Sequence, residues 1–153
     1  MTERGARLER FGSGYLDVEK ALAGATDEDL DRRPADGGWT AREVAHHLAD
    51  IETHGYIRLR RMIAEDVPTL DGPDDEAYAR RLHYDRPIQS SLGVLRAVRE
   101  ASLELLRALS TAEWTRTAIH PKLSPYDIDE WLRIYAEHAH DHADQIRAAI
   151  GRP

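Results

Sequence analysis

The sequence predicts an all-α protein, a four-helix bundle with a long link between its second and third helices. Three observations lead there. Apolar residues recur at steps of three and four through four long stretches, the period of one helix face. Helix start and stop signals bracket those stretches. Runs of alternating Val, Ile and Thr are missing, which leaves little material for a sheet. Four amphipathic helices bury their stripes against one another, and an antiparallel-type bundle is the expected arrangement.

The first stripe is Leu8, Phe11, Tyr15, Val18 and Leu22, so the first helix runs from about Thr2 to Ala23 and Gly24 closes it. Thr26 to Leu30 reads as a capped single turn, and Pro34 to Gly38 as a turn cluster. Thr40 and Glu43 have the spacing of a capping box, in which each side chain satisfies a free amide of the other. The second helix starts there, continues through Val44, Leu48, Ile51, Gly55 and Met62, and stops near Ala64 or Glu65. Pro68 to Pro87 is rich in turn residues, with one short helical piece at about Asp75 to Leu82; a connection of this length is functional or crosses between distant ends. The third helix carries Leu92, Leu95, Val98, Leu105 and Leu109 as its stripe. Ser110 to Trp114 is another capped turn, Asp127 to Glu130 is an acidic capping box that opens the fourth helix, and Gly151 ends it.

At 153 residues the length fits one domain, 1–153, able to bury a core without disulfides or a structural metal. The absence of cysteine excludes cysteine-type zinc fingers, iron–sulfur clusters and thiol nucleophiles, so any metal chemistry falls to the 8 histidines and the carboxylates. A net charge of -7 argues against nucleic acid as a partner. Met1 to Arg10 has no apolar leader segment, and no apolar run is long enough to cross a bilayer; a cytoplasmic protein is expected.

The apolar stripe of the last helix is Ile128, Trp131, Leu132, Tyr135, Ala139, Ile146 and Ala149, and His138 and His142 lie on it. Residues four apart are neighbours on a helix surface, so both imidazoles can reach one metal ion. In the second helix His46 and His47 differ by about 100° in direction and are not expected to face the core together. His47, three after Val44 and four before Ile51, lies on the stripe; His46 falls with Arg42, Ala49 and Thr53. His47, His138 and His142 then form a three-nitrogen set with open coordination positions, the pattern of a catalytic divalent site. A lone histidine on a core stripe is more often a hydrogen-bonded core residue, and from pattern alone both readings stay open. His54 is expected to pack, His140 to be exposed, and Asp141 and Asp144 either to orient ligands or to be solvated. Arg58, three turns after His47, either binds a substrate carboxylate or pairs with the acidic link.

These residues carry a resemblance. Gly37-Gly-Trp-Thr-Ala-Arg-Glu-Val-Ala-His-His-Leu-Ala-Asp50, Tyr56-Ile-Arg58, Pro68-Thr69, His120-Pro121 and His138 to Ile146 together resemble the DinB/YfiT-like superfamily, most closely its YfiT-type branch of metal-dependent hydrolases. The resemblance implies a four-helix bundle, a divalent metal, zinc or nickel, on His47, His138 and His142, and a homodimer. Members often have a histidine or a basic residue where this chain has Asp144, so no substrate preference carries over.

The resemblance also implies two chemistries: hydrolysis, or transfer of a low-molecular-weight thiol of the bacillithiol or mycothiol kind to an electrophile, the nucleophile being a metal-activated water or thiolate. His-Glu-x-x-His hydrolases place a base directly after the first ligand, and here that position is Ala139. Asp141 is aimed about 100° away from the ligand face. Thiol transfer, which needs no strong base, is the expected mechanism; a non-catalytic metal-binding or stress-response dimeric module is the alternative.

Overall fold

A computed structural model describes residues 2–152. It contains α1 (Glu3–Leu22), α2 (Asp27–Asp31), α3 (Ala41–Ala64), α4 (Asp75–Arg81), α5 (Gln89–Ala108) and α6 (Ile128–Ala149), with a 3-10 turn at Glu113–Thr115. The expected signals operate. Thr2 caps α1, reciprocal capping boxes open α2 and α3, and Gly24 and Gly151 take the positive φ that terminates a helix. At α6 the box is half formed: Asp127 accepts from the Glu130 amide, while the Glu130 carboxylate pairs with Arg133 instead. Among the described residues β structure amounts to isolated bridges, Thr69 with Ile119 and Thr117 with Asp127. No described helix is long and apolar enough to cross a membrane.

The four long helices form a ring in which α1 packs on α6 and α5, and α3 packs on α5 and α6. Side-chain pairs give the directions. Arg4 meets Asp129, Arg10 meets Glu137 and Arg147 meets Asp17, so α1 and α6 run parallel. His46 meets Ser91 and Glu52 meets Arg99, so α3 and α5 also run parallel. His47 meets His142 and Gly55 meets Trp131, so α3 and α6 are antiparallel. The bundle therefore mixes parallel and antiparallel neighbours, which corrects the simple antiparallel expectation. It also explains the link: a 24-residue helix is about 36 Å long, and the chain must travel back along it before a parallel α5 can begin. The link is stitched down on the way. Leu70 N–H donates to Ile119 O and Ile119 N–H to Pro68 O, and the buried Tyr84 donates to Asp50.

Apolar side chains form two clusters. One gathers Val18, Val44, Leu48, Leu95, Ala143 and Ile146; the other gathers Phe11, Leu59, Met62, Leu106, Trp131 and Tyr135. Between them each helix has a break in its apolar line: Gly14 on α1, Glu52 on α3, Arg99 on α5 and His138 on α6. The stripe of α5 is displaced from expectation. Of its predicted residues only Leu95 is buried; the buried line is Ser91, Leu95, Arg99, Ser102 and Leu106. The reason is chemical, because Ser91 bonds His46 and Arg99 bonds Glu52 inside the bundle, and the two hold the helix in a phase that hydrophobicity alone does not select.

Gly14 is required by this middle layer. A Cβ there would lie 2.5 Å from Arg99 Nη2 and 2.9 Å from the Ala139 Cβ, and neither can retreat: Arg99 is 3% exposed and ion-paired, and Ala139 is fixed by the α6 backbone. Helix propensity alone favours alanine over glycine by about 1 kcal/mol. Gly14→Ala is nevertheless expected to destabilise the fold by about 1–3 kcal/mol through overpacking, read from urea denaturation midpoints.

Candidate metal centre

The 100° step between consecutive helical residues places His46 and His47 on different partners. α3 is flanked by α5 and α6, so both histidines are buried, contrary to the expectation that one must face outward. His46 turns toward α5, where its Nε2–H donates to the Arg86 carbonyl (2.9 Å) and its Nδ1 accepts from the Ser91 hydroxyl (2.8 Å). Its ring nitrogens are both spent on anchoring the end of the link. His47 turns toward α6.

On α6 the same logic divides the histidines. His138 and His142, one turn apart, face α3; His140 faces α1 and is buried rather than exposed as expected. Its Nδ1–H donates to Asp17 (2.6 Å), and Nε2 lies 3.0 Å from the Arg10 carbonyl. The parallel packing of α1 on α6 buries a position that the helical phase of α6 alone would leave in solvent.

His47, His138 and His142 converge, as their spacing predicts. Each can offer one ligand nitrogen such that all three lie within 4.8 Å of one another, a grouping able to hold a metal ion. The ring orientations follow from the other nitrogens. His138 Nδ1–H donates to Glu52 Oε1 (3.0 Å) and His142 Nδ1–H to Gln145 Oε1 (2.7 Å), which leaves Nε2 as the lone pair each has to offer. His47 Nε2 lies 3.1 Å from His142 Nε2. Two imidazole nitrogens tolerate that separation only with a proton or a cation between them. The buried Nδ1 of His47 has no hydrogen-bond partner, so no protein acceptor dictates its tautomer.

Electrostatics keep His47 and His142 in ligand form. Burial, reinforced by the neighbouring His142 and His138, lowers His47 to about 3. Burial and His138 lower His142 to about 4, against a partial upward pull from Gln145. Both are neutral imidazoles at pH 7, as ligation requires. Burial pushes Glu52 up, but the Arg99 charge and the His138 contacts outweigh it and hold the carboxyl below its ordinary range. The donor set, with His47 and His142 held neutral, therefore fits a divalent cation.

A cleft of about 900 Å³ opens onto the cluster. Trp39 sits edge-on to His47 with ring centroids 4.8 Å apart, and Ile51 and Pro73 supply further apolar wall. Lys122 and the acidic start of α4, Asp75 and Glu76, supply charge. The long link thus serves both as a crossover and as one wall of the cleft.

The remaining candidates lie elsewhere. His54 bonds the Tyr78 hydroxyl at 2.9 Å and ties α4 to α3, as packing. Arg58 donates to the Asp71 carbonyl oxygen rather than to a carboxylate of the link. Asp141 is exposed and Asp144 pairs with Arg147, so neither orients a ligand. That position is filled by Glu52 and Gln145, which the sequence reading missed. The signals were present: Gln145 is three residues after His142 on one face, and Glu52 is a charge on the line Leu48, Glu52, Gly55, Leu59.

Comparison with known proteins agrees with this bundle. The family model of the DinB superfamily matches residues 14–146. A relative from Oceanobacillus iheyensis, named "Putative metal-dependent hydrolase", is 36% identical over 135 residues, 88% of this chain and 78% of its own. YfiT of Bacillus subtilis, which has the same description, is 31% identical over 131 residues, 84% of this chain and 74% of its own. The solved structure of that YfiT, described as "a probable metal-dependent hydrolase with an unusual four-helix bundle topology", superposes with a TM-score of 0.89 at 25% identity, covering 100% of this chain and 91% of that one. A family match over most of the chain, a shared bundle and relatives above 30% identity lead to one conclusion: the chain belongs to the DinB superfamily.

Proposed function

We propose that the protein is a metal-dependent enzyme for small molecules, with His47, His138 and His142 holding one divalent ion, zinc or nickel. The observation that carries this reading is the convergence of three imidazoles from two helices, two of them oriented by acceptors on their far nitrogens. The metal-dependent hydrolase names of the relatives support it. A divalent ion bound there would bring the ionisation of a coordinated water or thiol toward neutral pH.

The side chains hydrogen-bonded to the cluster, as distinct from Asp75 and Glu76 on the cleft wall, favour transfer of a small thiol over hydrolysis. Hydrolysis benefits from a carboxylate free to take a proton from water. The carboxylate hydrogen-bonded to the cluster, Glu52, is already engaged by Arg99 and His138 and lies 2% exposed. Asp141 points to solvent. In the thiol reaction sulfur attacks an electrophilic carbon, the carbon–sulfur bond forms as the bond to a leaving group such as chloride breaks, and the thiol proton passes to solvent. Trp39, Ile51 and Pro73 give an apolar wall for the electrophile, and the cleft volume suits small reactants.

The test is incubation of zinc- or nickel-loaded protein with a panel of low-molecular-weight thiols and a chloro-nitroaromatic electrophile, beside a panel of activated esters and amides. Metal-dependent conjugation with at least one thiol is expected, lost in His138→Ala. Ester or amide cleavage without conjugation would assign hydrolysis instead, and no turnover in either panel would leave a binding module.

The buried histidines also give the metal-free protein a pH dependence. The unfolded chain protonates them near 6.5 and the folded chain near 3 and 4. Between those values the unfolded state binds more protons, so stability is full above about pH 6.5 and falls as the pH drops toward 4. Thermal melts of chelator-treated protein at a series of pH values should show this fall, and His47→Ala should flatten it.

A further inference from the structure

Burying a carboxylate and a guanidinium is a poor way to stabilise a bundle. Apolar residues of similar volume do as well or better, because desolvation offsets most of the attraction between the charges. Yet Glu52 and Arg99, 2% and 3% exposed, meet at 2.5 Å between the two apolar clusters. The arrangement around them is extensive. Arg99 Nη2 donates to the Phe11 carbonyl (2.6 Å) and Nη1 also approaches the Tyr135 carbonyl (3.3 Å), while the guanidinium lies 4.0 Å over the Phe11 ring. Gly14 leaves out a side chain so that the guanidinium can fit. The Arg99 Nε remains buried without a partner, a further cost. Groups from α1, α5 and α6 thus serve one carboxylate of α3.

The same Glu52 oxygen that receives Arg99 receives the Nδ1–H of His138. We infer that Glu52 is a positioning residue for the metal site. It fixes the tautomer and ring orientation of His138 and makes its Nε2 a stronger donor, and Arg99 is present to hold that carboxylate in place inside the protein. The ion pair is retained for the site and not for the stability of the bundle. The inference rests on the metal reading of the three histidines and goes beyond it, because it assigns a role to a pair outside the three-histidine set. A carboxylate on the far nitrogen of a ligating histidine typically governs metal affinity by about 10- to 100-fold.

Calorimetric zinc titration together with thermal melts of the metal-free proteins tests it. Replacing the pair as a unit, Glu52→Leu with Arg99→Met, removes both charges and avoids stranding either one. The expected result is a metal-free protein that melts no lower than wild type, with zinc affinity weakened at least about tenfold. Should that variant not fold, Glu52→Met with Arg99→Leu also removes the acceptor and both charges with different packing, and carries the same expectation for affinity. A folded variant binding zinc within about threefold of wild type would overturn the inference while leaving the metal site standing. So would a large loss of melting temperature with unchanged affinity, since the pair would then be a structural element. Wild type that binds no zinc and no nickel overturns the metal reading, and this inference falls with it.

Discussion

The arrangement of the candidate site depends on one buried contact, the carboxylate of Glu52 held between Arg99 and His138. It sits where all four long helices lack an apolar residue, and each helix contributes to it. α1 gives a carbonyl and the space left at Gly14, α3 the carboxylate, α5 the guanidinium and α6 the imidazole. A charge in that position costs free energy if any partner is missing, so the contact selects one mutual register for the four helices. The apolar clusters above and below supply the bulk of the driving force, but apolar contacts are non-directional. The polar layer makes the packing specific.

Register is what the three histidines require. His47 comes from one helix and the other two from its antiparallel neighbour, so a slip of one turn, about 5.4 Å, would separate them. The Glu52 contact with His138 and the His47 contact with His142 lie on the same α3–α6 seam and prevent it. The parallel pairing of α3 with α5 brings Arg99 level with Glu52, and it obliges the chain to return along the bundle through the link. That return passes the open side of the histidine cluster, where its residues from Gly72 to Glu76 become a wall of the cleft. Topology, site and cleft therefore share one geometric origin.

Much of this was legible in the sequence. Helix limits followed from caps and glycine stops, and the three histidines from helical phase, because a stripe that carries Trp131, Tyr135 and Ile146 must also turn His138 and His142 inward. Phase failed where a helix has neighbours on more than one side. His46 and His140 are buried because α3 meets α5 and α6 meets α1 on faces that a single-stripe reading assigns to solvent. It failed again on α5, where Ser91 and Arg99 displace the leucine stripe, since hydrophobic periodicity cannot rank a polar residue whose partner lies on another helix. Glu52 stands out in the sequence as a charge on an apolar line, but which groups it serves is visible only once Arg99 and His138 are seen around it.

The central claim is that the three histidines hold a metal ion. It is tested most directly by plasma mass spectrometry of metal per chain in protein purified without added metal and without a histidine tag, alongside His47→Ala prepared in the same way. The account predicts about one divalent ion, zinc or nickel, per wild-type chain and its loss in the variant. Trace metal in wild type, unchanged by His47→Ala, would contradict it.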